Sequence, residues 1–257
     1  MKKISIITIC YNSEKTIRHT IESVLSQDHP DIEYIVIDGL SSDNTMNIVN
    51  EYSEKIAKIV SEPDQGIYDA MNKGVKHSTG DIVGILNSDD FFENSFVISD
   101  VLEHFNSNPT ASLVIGDVVY VKPSNTENIT RFYSSVKFKP WKLRFGWMPP
   151  HAATFIKKAV YDKVGNYAVN YKISADYELF VRMLMVHNID YSRINKVLVR
   201  MRSGGVSTSG IKSSFLLNSE IVKACKRNGI YTNLFLVLLK IPFKMLEGFR
   251  RPPNSKS

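Results

Sequence analysis

Residues 33–43 read EYIVIDGLSSD: an apolar, largely β-branched run that closes on an acid, then Gly39-Leu40, then three residues, Ser41, Ser42 and Asp43, suited to capping a helix. Such a run is too short for a buried helix and fits a strand covered on both faces. The cap residues after it predict a following helix with Ile48, Val49 and Tyr52 turned inward. The same unit recurs on either side. ISIITI (4–9) is a strand followed by caps at Asn12 and Ser13, with Ile17, Ile21, Val24 and Leu25 at helical spacing. KIVSE (58–62) precedes a helix near 68–77, and DIVGIL (81–86) is a fourth strand. Strands alternating with helices of this length imply parallel pairing through right-handed crossovers. Ligands of such sheets sit beyond the carboxyl ends of the strands.

The second half is less regular. LVIGDVVYV (113–121) is strand-like, and residues 122–150, with Pro123, Pro140, Pro149 and Pro150, read as a loop-rich region. HAATFIKK (151–158) predicts a strand entering a helix that stops near Gly165. Residues 176–187 predict a helix, and helical patterns run from about 213 to 249 with interruptions near Gly229 and Pro242.

Composition bounds the function. The chain of 257 residues is 43% hydrophobic and 23% charged, an ordinary globular balance. Cys10 and Cys225 lie far apart in no metal-binding spacing, which argues against zinc or a disulfide framework and fits a reducing compartment. MKKISIITICYN reads as a first strand, not a signal peptide, because its apolar run is short and lacks a cleavage site. No segment is apolar enough to span a bilayer. Of the net charge of +6, residues from Lys212 onward carry nine Lys/Arg against Glu220 and Glu247, so the tail is +7 and the rest −1. A near-neutral body without a nucleic-acid motif excludes that partner class.

Polar groups follow each early strand: Tyr11 and Asn12, then Asp38, then Asp64 to Asp69, then Asn87-Ser88-Asp89-Asp90. An adjacent acid pair after a buried strand is costly unless a cation neutralises it. Mg²⁺ or Mn²⁺ commonly takes one or two carboxylates and completes its shell with phosphate oxygens and water. A solvated, helix-capping turn is the competing reading of the same residues.

Seven strings narrow the choice: SIITICYNSEKTI, DIEYIVIDGLSSDNT, SEPDQGIYDAMNKG, GDIVGILNSDD, PHAATFIKKAVYDKVGNY, KISADYELFVRML and GGVSTSG. In this order, over about residues 4–210, the chain resembles the family 2 inverting glycosyltransferases with the GT-A fold, in particular those of bacterial O-antigen, capsule and colanic-acid assembly. The resemblance implies a Rossmann-like α/β domain over 1–211, its mostly parallel central sheet flanked by helices, with a basic amphipathic helical extension over 212–257.

It also implies roles. Tyr11 is expected to face the nucleobase and Asp38 to accept a base N–H, the donor being UDP-linked. The family's metal motif falls on Asn87-Ser88-Asp89, with Asp89 as ligand for Mg²⁺ or Mn²⁺; Asn at the first position departs from the common Asp and removes one charge. Ser88, Asp90, Asp69, Lys73 and His151 are expected around the nucleotide sugar. Asp176 matches the catalytic base, with Ala175 where Glu is usual. Gly204 to Ser207 could fold over the ligands, and Trp141 and Trp147 are either an acceptor platform or loop anchors.

The expected partners are a nucleotide-sugar donor and a glycan or lipid-linked saccharide acceptor. YTNLFLVLLKIPFKMLEGFRR (231–251) mixes apolar and basic residues as membrane-surface helices do, and a helix packed on the domain with a solvated basic rim is the competing reading. With the lipid-linked acceptor that the resemblance implies, the enzyme is expected at the inner face of the bacterial cytoplasmic membrane. Two other readings stand beside this one: a polyprenyl-phosphate glycosyltransferase, and an inactive nucleotide-sugar-binding paralogue suggested by Asn87 and Ala175. A nucleotidyltransferase is disfavoured because ICYNSEKT has no glycine for gripping a triphosphate.

Overall fold

The computed structural model describes residues 3–204 and 211–241. Most of GGVSTSG and the end of the basic tail therefore lie outside the described residues.

The first four predicted strands form as β1 (Ile4–Cys10), β2 (Ile32–Asp38), β3 (Lys58–Ser61) and β4 (Ile82–Ile85). They pair in parallel in the order β3-β2-β1-β4. Between them run α1 (Ile17–Leu25), α2 (Thr45–Asn50) and α3 (Ile67–His77). The alternation of side chains along a strand explains why β1 and β2 are apolar throughout. Ile4, Ile6, Tyr34 and Val36 belong to one core with α1 and α2, while Ile7, Ile9, Ile35 and Ile37 belong to a second core with α3. Each such buried side chain contributes roughly 1.5–3 kcal/mol relative to exposure.

Beyond β4 the sheet becomes mixed. β8 (Thr154–Lys157) pairs antiparallel with β4, and β6 (Leu113–Lys122) pairs antiparallel with β8. β9 (Tyr191–Arg202) runs parallel to β6, and the short β5 (Asp90–Phe92) lies antiparallel on β9. β7 (Asn125–Tyr133) forms a hairpin with β6. The α/β class with flanking helices is as expected, with parallel pairing among the first four strands and again between β6 and β9.

Three strands and one helix escape the sequence patterns. β7 occupies a stretch that reads as loop; its polar sequence NTENITRFY suits a strand that is mostly wet. β9 alternates poorly, and two of its cations, Lys196 and Arg200, pair with Asp100 and Glu93 far away in sequence. β5 is only three residues long, and α4 (Val97–Ser107) lies between it and β6.

The strand at Thr154 runs into α5 (Lys158–Val164), which ends at Gly165, φ +85°. The helix expected at 176–187 starts as α6 (Ala175–Val181) and finishes in a π-helical turn, Arg182–Val186. After residue 211 come α7 (Ile211–Arg227) and α8 (Leu234–Leu238). They pack on the body: Ile221, Ala224, Cys225 and Val237 are buried in the same core as α3 and α6. Gly229, φ +71°, marks the expected break between them.

Candidate active site at the carboxyl edge of the sheet

Parallel pairing puts the ends of β1, β2, β3 and β4 on one edge. The register aligns Cys10 with Asp38 and Asp38 with Ser61. Asp38 is buried, and its oxygens accept from the Ser41 backbone N–H at 3.1 Å and the Ser61 hydroxyl at 2.6 Å, with the Ser41 hydroxyl also bound. Its carboxylate thus shapes the turn at Gly39 and Leu40, where Leu40 has φ +65°. The Cys10 thiol donates to Asp38 at 3.7 Å, and burial together with that carboxylate pushes its pKa far up.

Tyr11 follows β1 and is 64% exposed, a flat apolar surface at the mouth of the edge. Gly39 lies between Tyr11 and Asp64: a Cβ there would stand 2.4 Å from Asp64 Oδ2 and 3.5 Å from the Tyr11 ring. Asp64 therefore joins Tyr11 and Asp38 in one patch. Asp69 and Lys73 do other work nearby. Asp69 accepts from the Gln65 N–H at 3.0 Å, and the Lys73 ammonium donates to the Pro63 carbonyl at 2.6 Å while pairing with Glu62 and Asp69. Together they staple loop 62–66 to α3.

The turn Asn87–Asp90 sits beside this patch. The Ser88 hydroxyl meets that of Ser13 at 2.8 Å, and Thr20 of α1 donates to the carbonyls of Ser88 and Asp90 at 3.0 and 2.7 Å. Arg202, at the end of β9, donates to the Asp89 carbonyl at 2.6 Å and lies over Phe91, itself stacked on His19. Burial raises the pKa of Asp89, with Arg202 opposing; burial and the charge of Asp89 push Asp90 well above the carboxylate range. Asn87 Nδ2 donates to Asp90 Oδ2 at 3.2 Å, but the buried Asn87 Oδ1 and Asp90 Oδ1 have no hydrogen-bond partner.

Asp176 opens α6. Its Oδ1 accepts from the Tyr177 N–H at 2.8 Å and lies 3.4 Å from the Tyr68 hydroxyl of α3. Burial raises its pKa, and His151, the Tyr177 N–H and the Tyr68 hydroxyl oppose the rise. His151 Nε2 meets the Tyr167 hydroxyl at 2.8 Å, its ring edge-on to Phe180; burial lowers its pKa and Asp176 raises it. Asn72 of α3 clamps Tyr167 through its N–H and carbonyl, both at 2.9 Å, and Tyr167 stacks on Tyr68. Antiparallel pairing of Gly84 with Phe155 brings the start of β8, and with it His151, to the end of β4. Trp141 is 56% exposed and packs edge-on against Phe145.

The strand ends thus carry Tyr11, Asp38, Asp64 and the turn 87–90, and Asp176 with His151 stands at the same edge. Asn72, which lies with Asp69 and Lys73 in GIYDAMNKG, joins this assembly, and Tyr68 and Arg202, which gave no signal of their own in the sequence, complete it.

The sequence profile described as Glycosyl transferase family 2 matches residues 5–165. The chain belongs to this family. An uncharacterized glycosyltransferase of Mycobacterium tuberculosis is 31% identical over 185 residues, 71% of this chain and 69% of that protein. A PGL/p-HBAD biosynthesis glycosyltransferase of Mycobacterium bovis is 26% identical over 82% of both chains. Among solved structures, S. aureus TarS with UDP-GlcNAc matches this family 2 enzyme with a TM-score of 0.63 at 19% identity, over 86% of this chain and 66% of that one. A mannosyltransferase of Pyrobaculum calidifontis, in complex with GDP-Man and Mn²⁺, matches with a TM-score of 0.64 at 17% identity, over 96% and 73%. The likeness confirms the GT-A fold.

Asn87, Asp89 and Asp90 are the residues of the acidic turn that could hold a divalent cation. Two buried oxygens without partners, Asn87 Oδ1 and Asp90 Oδ1, lie in the same turn as the Asp89 carboxylate. Among the described residues no group of three or more His, Cys, Asp or Glu is placed to hold a metal.

Proposed function

We propose that this family 2 enzyme transfers a sugar, with inversion, from a UDP-linked donor to a glycan or lipid-linked saccharide in bacterial surface polysaccharide biosynthesis. The observation that carries the reading is the pairing, at one sheet edge, of an enclosed acid with raised pKa, Asp176, and an acidic turn with unpartnered buried oxygens.

Tyr11 stacks on the base and Asp64 recognises it, while the buried Asp38 shapes the site by holding the turn that carries Gly39. Asp89, with Asn87 and Asp90 beside it, would hold Mg²⁺ or Mn²⁺. Such a cation offsets charge on a leaving diphosphate. Asp176 accepts the proton of the acceptor hydroxyl; the oxygen forms a bond to the anomeric carbon as the bond to the diphosphate oxygen breaks, its electron pair leaving with the diphosphate. Approach from the opposite face inverts the configuration. A carboxylate whose pKa is raised by burial is a stronger base than an exposed one, and general-base help contributes on the order of 10²–10⁴-fold.

Membrane association is part of the proposal. Phe235, Leu238, Leu239 and Ile241 are exposed on and just after α8, and Lys244, Arg250 and Arg251 follow in sequence. An apolar face with nearby cations suits an anionic bilayer surface. Among the described residues no helix is long and apolar enough to cross a membrane.

Thermal shift with UDP-, GDP- and dTDP-sugars, each with and without Mn²⁺, tests the donor class, because a ligand that binds the folded state raises the melting temperature. The expected result is stabilisation by UDP-sugars that needs the metal, followed by a product of inverted anomeric configuration. Stabilisation by GDP- or dTDP-sugars alone contradicts the donor, and a retained configuration contradicts the mechanism.

A further inference from the structure

Helix α6 begins without the usual help. Its N-cap residue, Ser174, makes no side-chain cap, and the buried Ser174 hydroxyl has no hydrogen-bond partner. The backbone N–H groups of residues 172–174, which lead into the helix, find their acceptor 46 to 48 residues later in the chain. Glu220, buried in the middle of α7, accepts from the Lys172 N–H at 2.8 Å through Oε1 and from the Ile173 and Ser174 N–H groups at 3.0 Å each through Oε2. Three successive amides are thus gathered on one carboxylate, and Asp176 stands two residues beyond the last of them.

The position of Glu220 is informative in another way. It is one of only two acids after residue 211 in a stretch otherwise rich in Lys and Arg, and it lies outside the residues matched by the family profile. Buried carboxylates are costly unless hydrogen-bonded, and this one spends its acceptors on the backbone that presents the base. Elsewhere α6 is held by a different route: Glu178 pairs with Arg182 and accepts from Asn228, the residue just after α7. Glu178 and Asn228 tie α6 and α7 together; Glu220 fixes where α6 starts.

The geometry points to Glu220 as a positioning residue for the general base: its carboxylate sets the path of residues 172–174 and so the place of Asp176 against the acceptor hydroxyl. This rests on the assignment of Asp176 as base. It makes α7 part of the catalytic apparatus without contact to either substrate. A small displacement of a catalytic group costs rate far more than it costs donor affinity.

The test compares wild type, Glu220→Gln, Asp176→Asn and the double variant, by kcat with the stabilising UDP-sugar and by calorimetric donor affinity. Glu220→Gln keeps size but replaces one acceptor oxygen with a donor. The expected result is a kcat at least tenfold lower with donor Kd within twofold, and no further loss when the change is added to Asp176→Asn. A kcat within twofold of wild type, or an equal loss in both backgrounds, overturns the inference. Wild-type activity in Asp176→Asn would instead remove the base assignment beneath it. If Glu220→Gln does not fold, hydrogen exchange of the wild-type protein decides: protection of amides 172–174 comparable to α6 supports the inference, and free exchange overturns it.

Discussion

The Tyr68 hydroxyl reaches Asp176 Oδ1 at 3.4 Å, joining the first turn of α3 to the first turn of α6 across 108 residues of chain. The hydroxyl favours the ionised form of the acid, against the burial that disfavours it. With Asp176 as the proposed base, transfer needs it unprotonated, so activity is expected to fall as pH drops through its pKa. Tyr68→Phe removes one group that holds this pKa down. The acidic limb of the kcat–pH profile is expected to move to higher pH, with donor affinity unchanged; an unmoved or lowered limb contradicts the contact.

The acidic turn makes a separate prediction. Asp89→Asn keeps the size of the side chain but takes a charge from the proposed cation site. Mn²⁺ with a UDP-sugar is expected to raise the melting temperature of wild type and to fail to do so for Asp89→Asn. Equal shifts in both proteins would place the cation elsewhere.

Much of this architecture was legible in the sequence. β1, β2 and β4 read clearly because strands buried on both faces are apolar at nearly every position, and the acids that follow them mark the ligand edge. Asp176 was recognisable only through the family resemblance, since by itself it is an ordinary acid in a helix's first turn. Arg202 and Glu220 were invisible. Each lies in an element whose local pattern is unremarkable, and each acts on a backbone group far away in sequence, the Asp89 carbonyl and the 172–174 amides. β7 and β9 were lost for a related reason: polar residues that find tertiary partners blur the alternation by which a strand is read.

The opposite end of the sheet carries a purely structural acid. Glu33 is buried, which raises its pKa, but hydrogen bonds from Ser5, from the Thr79 N–H and hydroxyl, and from Lys3 together pull it down to about 2. A carboxylate depressed in the folded state stabilises above its unfolded pKa of about 4.5, and that contribution is lost as pH falls toward 2. The full linkage corresponds to about 3 kcal/mol, and screening at the partly exposed Lys3 reduces it to about 2 kcal/mol. Glu33→Gln is expected to lose this much by urea denaturation at pH 7, with the gap from wild type narrowing below pH 4. A constant gap across that range contradicts the linkage.

The exposed apolar face on α8 is testable without truncation. Phe235 and Leu239 are exposed, so Phe235→Glu and Leu239→Glu leave the core intact. Wild type is expected to float with liposomes containing phosphatidylglycerol and the double variant to remain in the soluble fraction. Equal distribution of the two proteins would remove the membrane from the proposal.

The most direct measurement is made on Asp176→Asn, with donor affinity and sugar transfer determined on the same preparation. A base that acts only on the acceptor hydroxyl predicts a donor Kd within twofold of wild type and a transfer rate lower by about 10²–10⁴-fold. Transfer at the wild-type rate would contradict it.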